Sequence, residues 1–271
     1  MRVNEEVYQF YQQGAEIGRL ERGIAQVEAF RTKELLEELL PEPSTIYDVG
    51  GGVGYYADWL AGRGHQVTMV ELSPAAVEYA ETHRKHPYKA LVGDARELLL
   101  PAASAEAVLL FGPLYHLLHE EDRLLALGEA FRVLKPGGLL LATAVSAFST
   151  LMWAITTYGR ENRDLDHPAY FAMIEGEIST GIHTRPKEFP HIMAQAYFHR
   201  PEQLAAEVSK AGFQIRRLVP LEGCARLVPD FEERWAEPAS RQKVLDLIRL
   251  TEDEPSLMGI SSHILCIAQK N

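Results

Sequence analysis

The chain has 271 residues, 46% of them hydrophobic, which is enough for one large α/β domain or for such a domain with a subdomain. Its 27 lysines and arginines against 38 aspartates and glutamates give a formal net charge of −11. A polyanion therefore meets an unfavourable average field, and no cluster of basic and aromatic residues offsets it. Nucleic acid is not expected as a partner, and a small molecule fits better.

The sequence contains no apolar run long enough to span a membrane. The first residues, MRVNEEVYQFYQQG, have neither the basic start nor the apolar stretch of a secretory signal. We therefore expect a protein that lies in the cytoplasm without a membrane partner. Cys224 and Cys266 lack the C-x-x-C spacing and are expected to be buried thiols.

The predicted elements begin with two helices, over residues 3–14 and about 20–40. The second has its apolar residues largely on one face and ends before Pro41 and Pro43. Strands and helices then alternate as far as residue 145. The strands are predicted in STIYDVG, HQVTMVEL, YKALVGD, AEAVLLFG and LLLATAV, and the helices over residues 53–63, from Ser73 to about His86, and in HEEDRLLALGEAFRVL.

Strands separated by helices of this length indicate right-handed crossovers and an α/β fold with a doubly wound, mostly parallel sheet. Residues 146–200 break the pattern: they are rich in aromatic residues and histidine, and we interpret them as an inserted helical cap. A helix from Pro201 to about Lys210 follows. The stretches FQIRRLVPL and GISSHILCIAQ then predict two closing strands, the last one antiparallel, which makes seven strands in all, with helices across residues 229–250 between them.

A glycine-rich loop, DVGGGVGYY, joins the first predicted strand to the next helix. Glycine at such a strand end permits a positive φ and lets a ligand approach the backbone. The dinucleotide fingerprint G-x-G-x-x-G fails because Tyr55 stands at its last position, and the P-loop fails because no Gly-Lys-Ser/Thr follows. The loop therefore indicates a cofactor site of another kind.

Acidic side chains end the next two predicted strands. Glu71 closes the second strand, where a carboxylate accepts hydrogen bonds from the hydroxyls of a ribose. Asp94 follows the third strand, where a carboxylate accepts from the exocyclic amine of an adenine. The fourth strand ends in LLFGPLYHL, which supplies Tyr115 and His116.

With these segments in this order, the chain resembles the class I S-adenosylmethionine (SAM)-dependent methyltransferases. The match runs from about residue 45 to 145 and comprises YDVGGGVGYY, MVELS, VGDARELLLP, LLFGPLYHLL and FRVLKPGGLLLATAV. The resemblance implies a Rossmann-like fold, SAM as cofactor and S-adenosylhomocysteine as product. It implies a cofactor site made of Asp48, Gly50, Gly52, Gly54, Glu71, Leu72, Asp94, Ala95, Phe111 and Gly112. One departure is Glu106, which stands where the family often has aspartate and where the acid usually supports the fold.

The resemblance also implies a division of the chain. Residues 1–44 would form an N-terminal helical lid, residues 45–145 the SAM-binding core, residues 146–200 the cap over the substrate, and residues 201–271 the completion of the sheet. Tyr8 and Tyr11 share one helix face and are predicted substrate contacts of the lid, although a core stripe explains them equally well. Arg19, Arg22 and Arg31 are possible partners of the cofactor carboxylate, or a solvated helix face.

Three residues are predicted to act on the methyl acceptor. His116 follows the fourth strand, which faces the sulfonium methyl in the related family, and the ordinary pKa of histidine suits proton transfer near neutrality. His199 is the second candidate base. Arg200 precedes Pro201 at a helix start, where a capping residue is usual, so we expect it to meet an anionic group of the substrate. Packing or a surface loop is the alternative for each.

Tyr115 and Tyr197 complete the predicted substrate residues, and the aromatic residues of the cap either line the acceptor pocket or form the core of the cap. His167, His183, His191 and His199 fall within one window, but no pair has the i, i+3 or i, i+4 spacing of metal ligands, so no metal is expected.

The predicted function is in-line transfer of the sulfonium methyl to a small-molecule acceptor by a monomer or homodimer. The alternatives are a SAM-binding regulator or inactive homologue and, with less support, an NAD-dependent oxidoreductase. The sequence does not identify the acceptor.

Overall fold

A computed structural model describes residues 17–160 and 162–271. Its main feature is the predicted seven-stranded sheet, in the order β3-β2-β1-β4-β5-β9-β8. The strands of this sheet are β1 Thr45–Val49, β2 Gln66–Glu71, β3 Lys89–Val92, β4 Ala105–Leu110, β5 Leu134–Val145, β8 Gln214–Pro220 and β9 His263–Gln269. The first five pair in parallel and β9 runs antiparallel to both of its neighbours, as the sequence predicts.

Helices cover both faces of the sheet. They are α1 Ala25–Leu39, α2 Tyr55–Ala61, α3 Pro74–His83, α4 Pro113–His116, α5 Glu120–Val133, α6 Ser149–Thr157, α7 Pro168–Thr180, α8 Pro201–Lys210, α9 Phe231–Ala236 and α10 Pro238–Thr251. The helix predicted over residues 20–40 is divided into a 3-10 turn, Arg19–Glu21, and α1. The helix predicted over residues 3–14 lies outside the described residues. No helix among those described is long and apolar enough to cross a membrane.

The central strands are apolar on both faces because each face is covered by helices. Apart from its partly exposed Glu106, β4 is fully buried, and its side chains divide between two cores on opposite sides of the sheet. Consecutive strands β1, β2 and β3 proceed in one direction across the sheet, and β4 and β5 proceed in the other. The order therefore reverses between β1 and β4, where a crevice opens at the carboxyl ends of the strands.

Glu106 has the structural role expected of its position. Its carboxylate accepts a hydrogen bond from the backbone N–H of Thr45, at 2.7 Å, and pairs with Lys135. Those residues begin β1 and β5, on either side of β4. The glutamate therefore joins three adjacent strands at the end of the sheet opposite the crevice.

Residues 146–200 are less purely helical than predicted. Besides α6 and α7, they contain a two-stranded antiparallel hairpin of β6 Ile182–Thr184 and β7 Gln195–Tyr197. The segment has a small core of its own, which includes Tyr170, Met173 and Phe189. It rejoins the sheet where the N–H of His199 donates to the carbonyl of Val145 at 2.7 Å. The three-residue strands are too short to be recognised from an alternating pattern.

The turn into α2 depends on the absence of a side chain at Gly54. This residue has a φ of 81°, and a Cβ there would overlap the hydroxyl of Tyr88 and lie 3.1 Å from the Cβ of Ala80. Gly64 has a similar φ of 88°, but a Cβ there would meet nothing within 4 Å. Substitutions at the two glycines can therefore distinguish the cost of backbone strain from the cost of steric overlap.

We predict that Gly64→Ala lowers the free energy of unfolding by about 1 kcal/mol, the cost of a left-handed backbone at a residue with a Cβ. Gly54→Ala carries the same strain and also has to displace Tyr88, so it should cost about 1–3 kcal/mol more. Urea unfolding of both variants measures the difference. Equal losses for the two variants would contradict the role given to the Tyr88 contact.

Candidate active site

A cavity of about 540 Å³ occupies the crevice at the carboxyl ends of the parallel strands. The ends of β1 and β2, the segments after β3 and β4, and the turn before α1 all contribute to its lining. All but one of the predicted cofactor residues line it: Asp48, Gly50, Gly52, Glu71, Leu72, Asp94, Ala95, Phe111 and Gly112. Segments that are separate in the sequence thus come together in space at this cavity.

The glycine loop is fixed by hydrogen bonds to the second strand. The N–H of Gly50 donates to the carbonyl of Val70 at 2.7 Å, and the N–H of Gly52 donates to the carboxylate of Glu71 at 3.0 Å. The other oxygen of Glu71 accepts from the N–H of Ser73 at 2.9 Å. Gly50 has a φ of 75°, and a Cβ there would overlap the ring of Pro113. Position 50 therefore has to be glycine, because the loop passes closely between β2 and the start of α4.

Asp48 is the least compensated charge in the cavity. Only 1% of the residue is exposed, and no side chain among the described residues donates to its carboxylate, although the backbone N–H of Ala57 interacts with it and acts to lower its pKa. Burial, with the negative charge of Glu71, raises the pKa of Asp48 to about 7. A buried carboxylate with so little compensation is costly, so a cationic or hydrogen-bonding ligand would stabilise this residue.

Asp94 has a partner that the sequence analysis did not identify. Its two oxygens accept from the guanidinium of Arg96, at 3.0 Å from Nε to Oδ1 and 2.7 Å from Nη2 to Oδ2. Arg96 also contacts Asp122, at 3.1 Å. Burial acts to raise the pKa of Asp94, but the hydrogen bonds from Arg96 outweigh it, and the pKa is lowered. Asp94 thus stays ionised and is held in one orientation.

A second ion network lies beside the turn before α1. Arg19, which lines the cavity, donates to both oxygens of Glu28, at 2.7 and 3.0 Å. Glu28 lies 3.5 Å from Nδ1 of His263, and that nitrogen lies 2.6 Å from Glu222. The atoms that Glu28, Glu222 and His263 could offer to a metal lie within 4.8 Å of one another. Because Arg19 and His263 already balance the two carboxylates, we interpret the group as a closed ion network.

The three arginines that were named as possible partners of the cofactor carboxylate thus have different positions and contacts. Arg19 is at the cavity. Arg22 donates to the carbonyls of Gly18 and Ile17, and Arg31 is buried against Glu34 and Glu252. The Glu222–His263 pair was not predictable from the sequence, because its two residues are far apart in the chain. They meet only in the fold, after the end of β8 and at the start of β9.

His116 lies where the sequence analysis expects it, in the cavity lining directly after β4. Its ring lies 4.6 Å from the ring of Tyr115, which also lines the cavity and donates its hydroxyl to the carbonyl of Phe111 at 3.1 Å. Burial lowers the pKa of His116 to about 3. The imidazole is therefore neutral near pH 7, and its basicity is weaker than the sequence analysis assumes.

His199 and Arg200 do not line the cavity, so the structure gives no support to their predicted role as acceptor contacts. His199 is fully buried, and its Nε2 lies 3.3 Å from Glu207. The guanidinium of Arg200 donates to the carbonyl of Ile178 at 3.0 Å and lies 5.0 Å from the ring centre of Phe148. The start of α8 is capped instead by Gln203, whose side chain accepts from the N–H of Arg200. Arg200 therefore joins α7 to α8, which explains an arginine at this position.

Two other predicted residues do not line the cavity. Gly54 makes the turn beside Tyr88, and Tyr197 lies against Arg123 with its ring centre 3.7 Å from the guanidinium carbon. Tyr8 and Tyr11 lie outside the described residues. The glycine loop and the strand-end acids were predictable because they follow strands directly, whereas residues 197–200 pack behind the cavity wall and do not line the cavity.

Comparison with known proteins agrees with this geometry. Residues 47–142 match the family model described as a methyltransferase domain. That segment of the chain is therefore similar to a methyltransferase domain, which supports the expected class I SAM-dependent methyltransferase family. A malonyl-[acyl-carrier protein] O-methyltransferase of Serratia marcescens is 32% identical over 104 residues, 38% of this chain and 39% of the relative. A tRNA 5-carboxymethoxyuridine methyltransferase of Escherichia coli is 27% identical over 187 residues, 67% of this chain and 64% of the relative.

The fold is shared more widely than the sequence. The methyltransferase domain and its flanking segments superpose on a 1,6-didemethyltoxoflavin-N1-methyltransferase of Burkholderia thailandensis, solved with its substrate and S-adenosylhomocysteine, with a TM-score of 0.57 and 15% identity. The match covers 98% of this chain and 86% of that one. The curated relatives are matched over a smaller part, 39 to 64% of their own lengths.

The residues that line the cavity fit SAM, the cofactor of that family. Asp48 is a buried acid that needs a donor, and SAM carries an ammonium group. The glycine loop leaves room that a Cβ would fill, and Glu71 and Asp94 are acceptors fixed at the ends of neighbouring segments. SAM is therefore the cofactor that this cavity accommodates.

We predict that SAM affinity depends on the ionisation of Asp48. Above pH 7 the carboxylate is already charged, whereas below pH 7 a proton has to leave before it can pair with the ammonium. The dissociation constant should therefore rise as pH falls, approaching about tenfold per unit well below the pKa. Calorimetric titration of SAM between pH 5.5 and 7.5 measures this slope.

Asp48→Asn should bind SAM more weakly and with little pH dependence over that range. Asp94→Asn is the matched control: its pKa is lowered by Arg96, so it should weaken binding and keep the slope of the unmodified chain. An unchanged slope in Asp48→Asn would rule out Asp48 as the titrating group.

Proposed function

We propose that this chain is a SAM-dependent methyltransferase that methylates a small-molecule acceptor inside the cavity. The observation that carries the proposal is Asp48, a buried carboxylate with no side-chain donor among the described residues, which lies beside a glycine loop in the crevice at the carboxyl ends of the strands. SAM, when bound, supplies an electrophilic sulfonium methyl. The chain's own contribution is to align the acceptor with that group and to keep water out.

The size and charge of the cavity favour a small acceptor. A cavity of about 540 Å³ has to receive the cofactor together with the reacting part of the acceptor. Its lining includes five acids, Glu21, Asp48, Glu71, Asp94 and Asp122, against Arg19 and Arg96. Both arginines are paired with carboxylates, which makes the cavity unfavourable for a polyanion.

His116 and Tyr115 are the chain's proposed contacts with the acceptor. A neutral imidazole can accept or donate one hydrogen bond and so orient an acceptor, but with a pKa of about 3 it is a weak base. An acceptor whose nucleophilic atom is already unprotonated therefore suits this site best. Location in the cytoplasm and a monomeric or homodimeric state remain predictions.

The relatives include proteins named for a tRNA and for an acyl-carrier protein, so macromolecular acceptors are a defined alternative. The test is formation of S-adenosylhomocysteine from SAM with three acceptor sources: an ultrafiltered metabolite extract, bulk tRNA, and acyl-carrier protein loaded with malonyl groups. We expect product with the metabolite extract alone. Product with tRNA or carrier protein alone would overturn the small-molecule proposal.

Tight binding of SAM without product from any source would support the alternative of a regulator or inactive homologue. Binding of NAD in place of SAM would support an oxidoreductase. A binding titration with the two cofactors therefore precedes the turnover assay.

The role of His116 is tested by the size of its effect. If it orients the acceptor through one neutral hydrogen bond, His116→Ala should lower kcat/KM for the acceptor about 5- to 10-fold, in line with roughly 1 kcal/mol. The loss of a general base would cost about 100-fold or more. Initial rates at saturating SAM distinguish the two, and an unchanged SAM dissociation constant is the control for folding.

A further inference from the structure

Arg123 connects the cavity lining to the interior of the protein. It lies in the first turns of α5 and is 2% exposed. Its Nη1 donates to the carbonyls of Leu117 and Leu118, each at 2.9 Å. Leu117, Leu118 and His119 line the cavity directly after His116, and we call residues 117–119 the wall segment.

The other side of the guanidinium binds a buried acid on α8. Nε lies 2.9 Å from Oε2 of Glu207, and Nη2 lies 2.6 Å from Oε1. His199 approaches the same carboxylate, with its Nε2 at 3.3 Å. Burial acts to raise the pKa of Glu207, but the hydrogen bonds from His199 and Arg123 outweigh it and lower the pKa to about 2. The carboxylate is therefore ionised and fixes the guanidinium in place.

The same guanidinium also contacts the segment that was predicted to be a cap. The ring of Tyr197, the last residue of β7, lies over it at 3.7 Å. Two residues later, the backbone of His199 pairs with the end of β5. One side chain thus holds together the wall segment, α8 and the hairpin of the cap. The planar fork of arginine is suited to this, because its donors point in three fixed directions.

We propose that Arg123 is a positioning residue for the methyl acceptor, which it serves by fixing the wall segment against Glu207 and Tyr197. The proposal rests on the proposed function, since it assumes that the acceptor lies beside the wall segment. A displacement of about 1 Å in such a wall can cost roughly 100-fold in rate. The wall carbonyls have no other hydrogen bond from a side chain among the contacts described, so their position depends on Nη1.

The critical variant is Arg123→Lys. Lysine retains the positive charge beside Glu207, but its single ammonium cannot reach the carboxylate and both wall carbonyls with the same geometry. We expect kcat/KM for the active metabolite fraction to fall 10- to 100-fold, with most of the loss in kcat. The SAM dissociation constant should stay within threefold, because none of the contacts of Arg123 is to a predicted cofactor residue.

The chain supplies a matched control on the same helix. Arg132 also donates to two loop carbonyls, those of Leu98 and Leu100 at 2.8 and 2.9 Å, and pairs with Glu129. Unlike Leu117 and Leu118, neither Leu98 nor Leu100 lines the cavity. Arg132→Lys should therefore leave kcat/KM within threefold. Equal kinetics for the two lysine variants would overturn the proposal, as would a SAM dissociation constant that rises in parallel with the loss of turnover in Arg123→Lys.

Hydrogen exchange provides a readout that does not depend on turnover. With SAM present, exchange of the peptide that contains residues 117–119 should become at least 5-fold faster in Arg123→Lys than in Arg132→Lys. If Arg123→Lys fails to fold, Glu207→Gln serves instead, since it keeps the shape of the side chain and removes the charge that fixes Arg123. Unaltered exchange in the folded variant would contradict the proposal.

Failure of the proposed function and failure of the positioning role of Arg123 give different results. If the unmodified chain binds SAM and methylates nothing, the proposed function fails, whatever exchange shows. If it methylates the metabolite fraction and Arg123→Lys does so equally well, the proposed function stands and the positioning role of Arg123 is wrong.

Discussion

The parallel pairing of β1 with β4 is the constraint on which the rest of the structure depends. Asp48 lies between Met69 and Leu109 in the register of three adjacent strands, so both neighbours of β1 are fixed by its central position. Because the chain leaves β1 towards one edge of the sheet and returns to its other side as β4, no crossover covers the carboxyl ends at this point. The crevice is thus a consequence of strand order, and the glycine loop, Glu71 and Phe111 come together because their strands end there.

The charged residues at the cavity differ in whether an opposite charge is paired with them. Arg19, Arg96 and Arg123 are each paired with carboxylates in fixed geometry, and each reaches the cavity or its wall segment. Asp48 differs, because burial raises its pKa and no side chain among the described residues donates to it. A paired buried charge mainly specifies one arrangement, whereas an unpaired one makes the site depend on its ligand. The cavity thus combines a rigid frame with one group that a cationic cofactor would satisfy.

His116 and His199 are the same residue type but lie in different environments in the fold. Both are desolvated, and burial lowers the pKa of each. His116 nevertheless lies in the cavity lining, while His199 is enclosed between Glu207 and the end of β5. The difference arises from the direction in which the chain leaves β4 and β7. Neither direction can be read from the spacing of histidines along the sequence.

The sequence by itself determined the α/β class, the strands of the sheet, the antiparallel last strand and the glycine loop and strand-end residues that line the crevice, because those features depend on local hydrophobic patterning and on residues that directly follow strands. It did not give the short hairpin of residues 182–197, whose strands are too brief to show a period, nor the partners of Asp94 and His263. Arg123 and Glu207 are 84 positions apart, and Glu28 and Glu222 are farther still. Only the tertiary structure decided which buried charges meet, because such pairs are set by the packing of distant elements, and that packing also places His199 in the interior and not in the cavity lining.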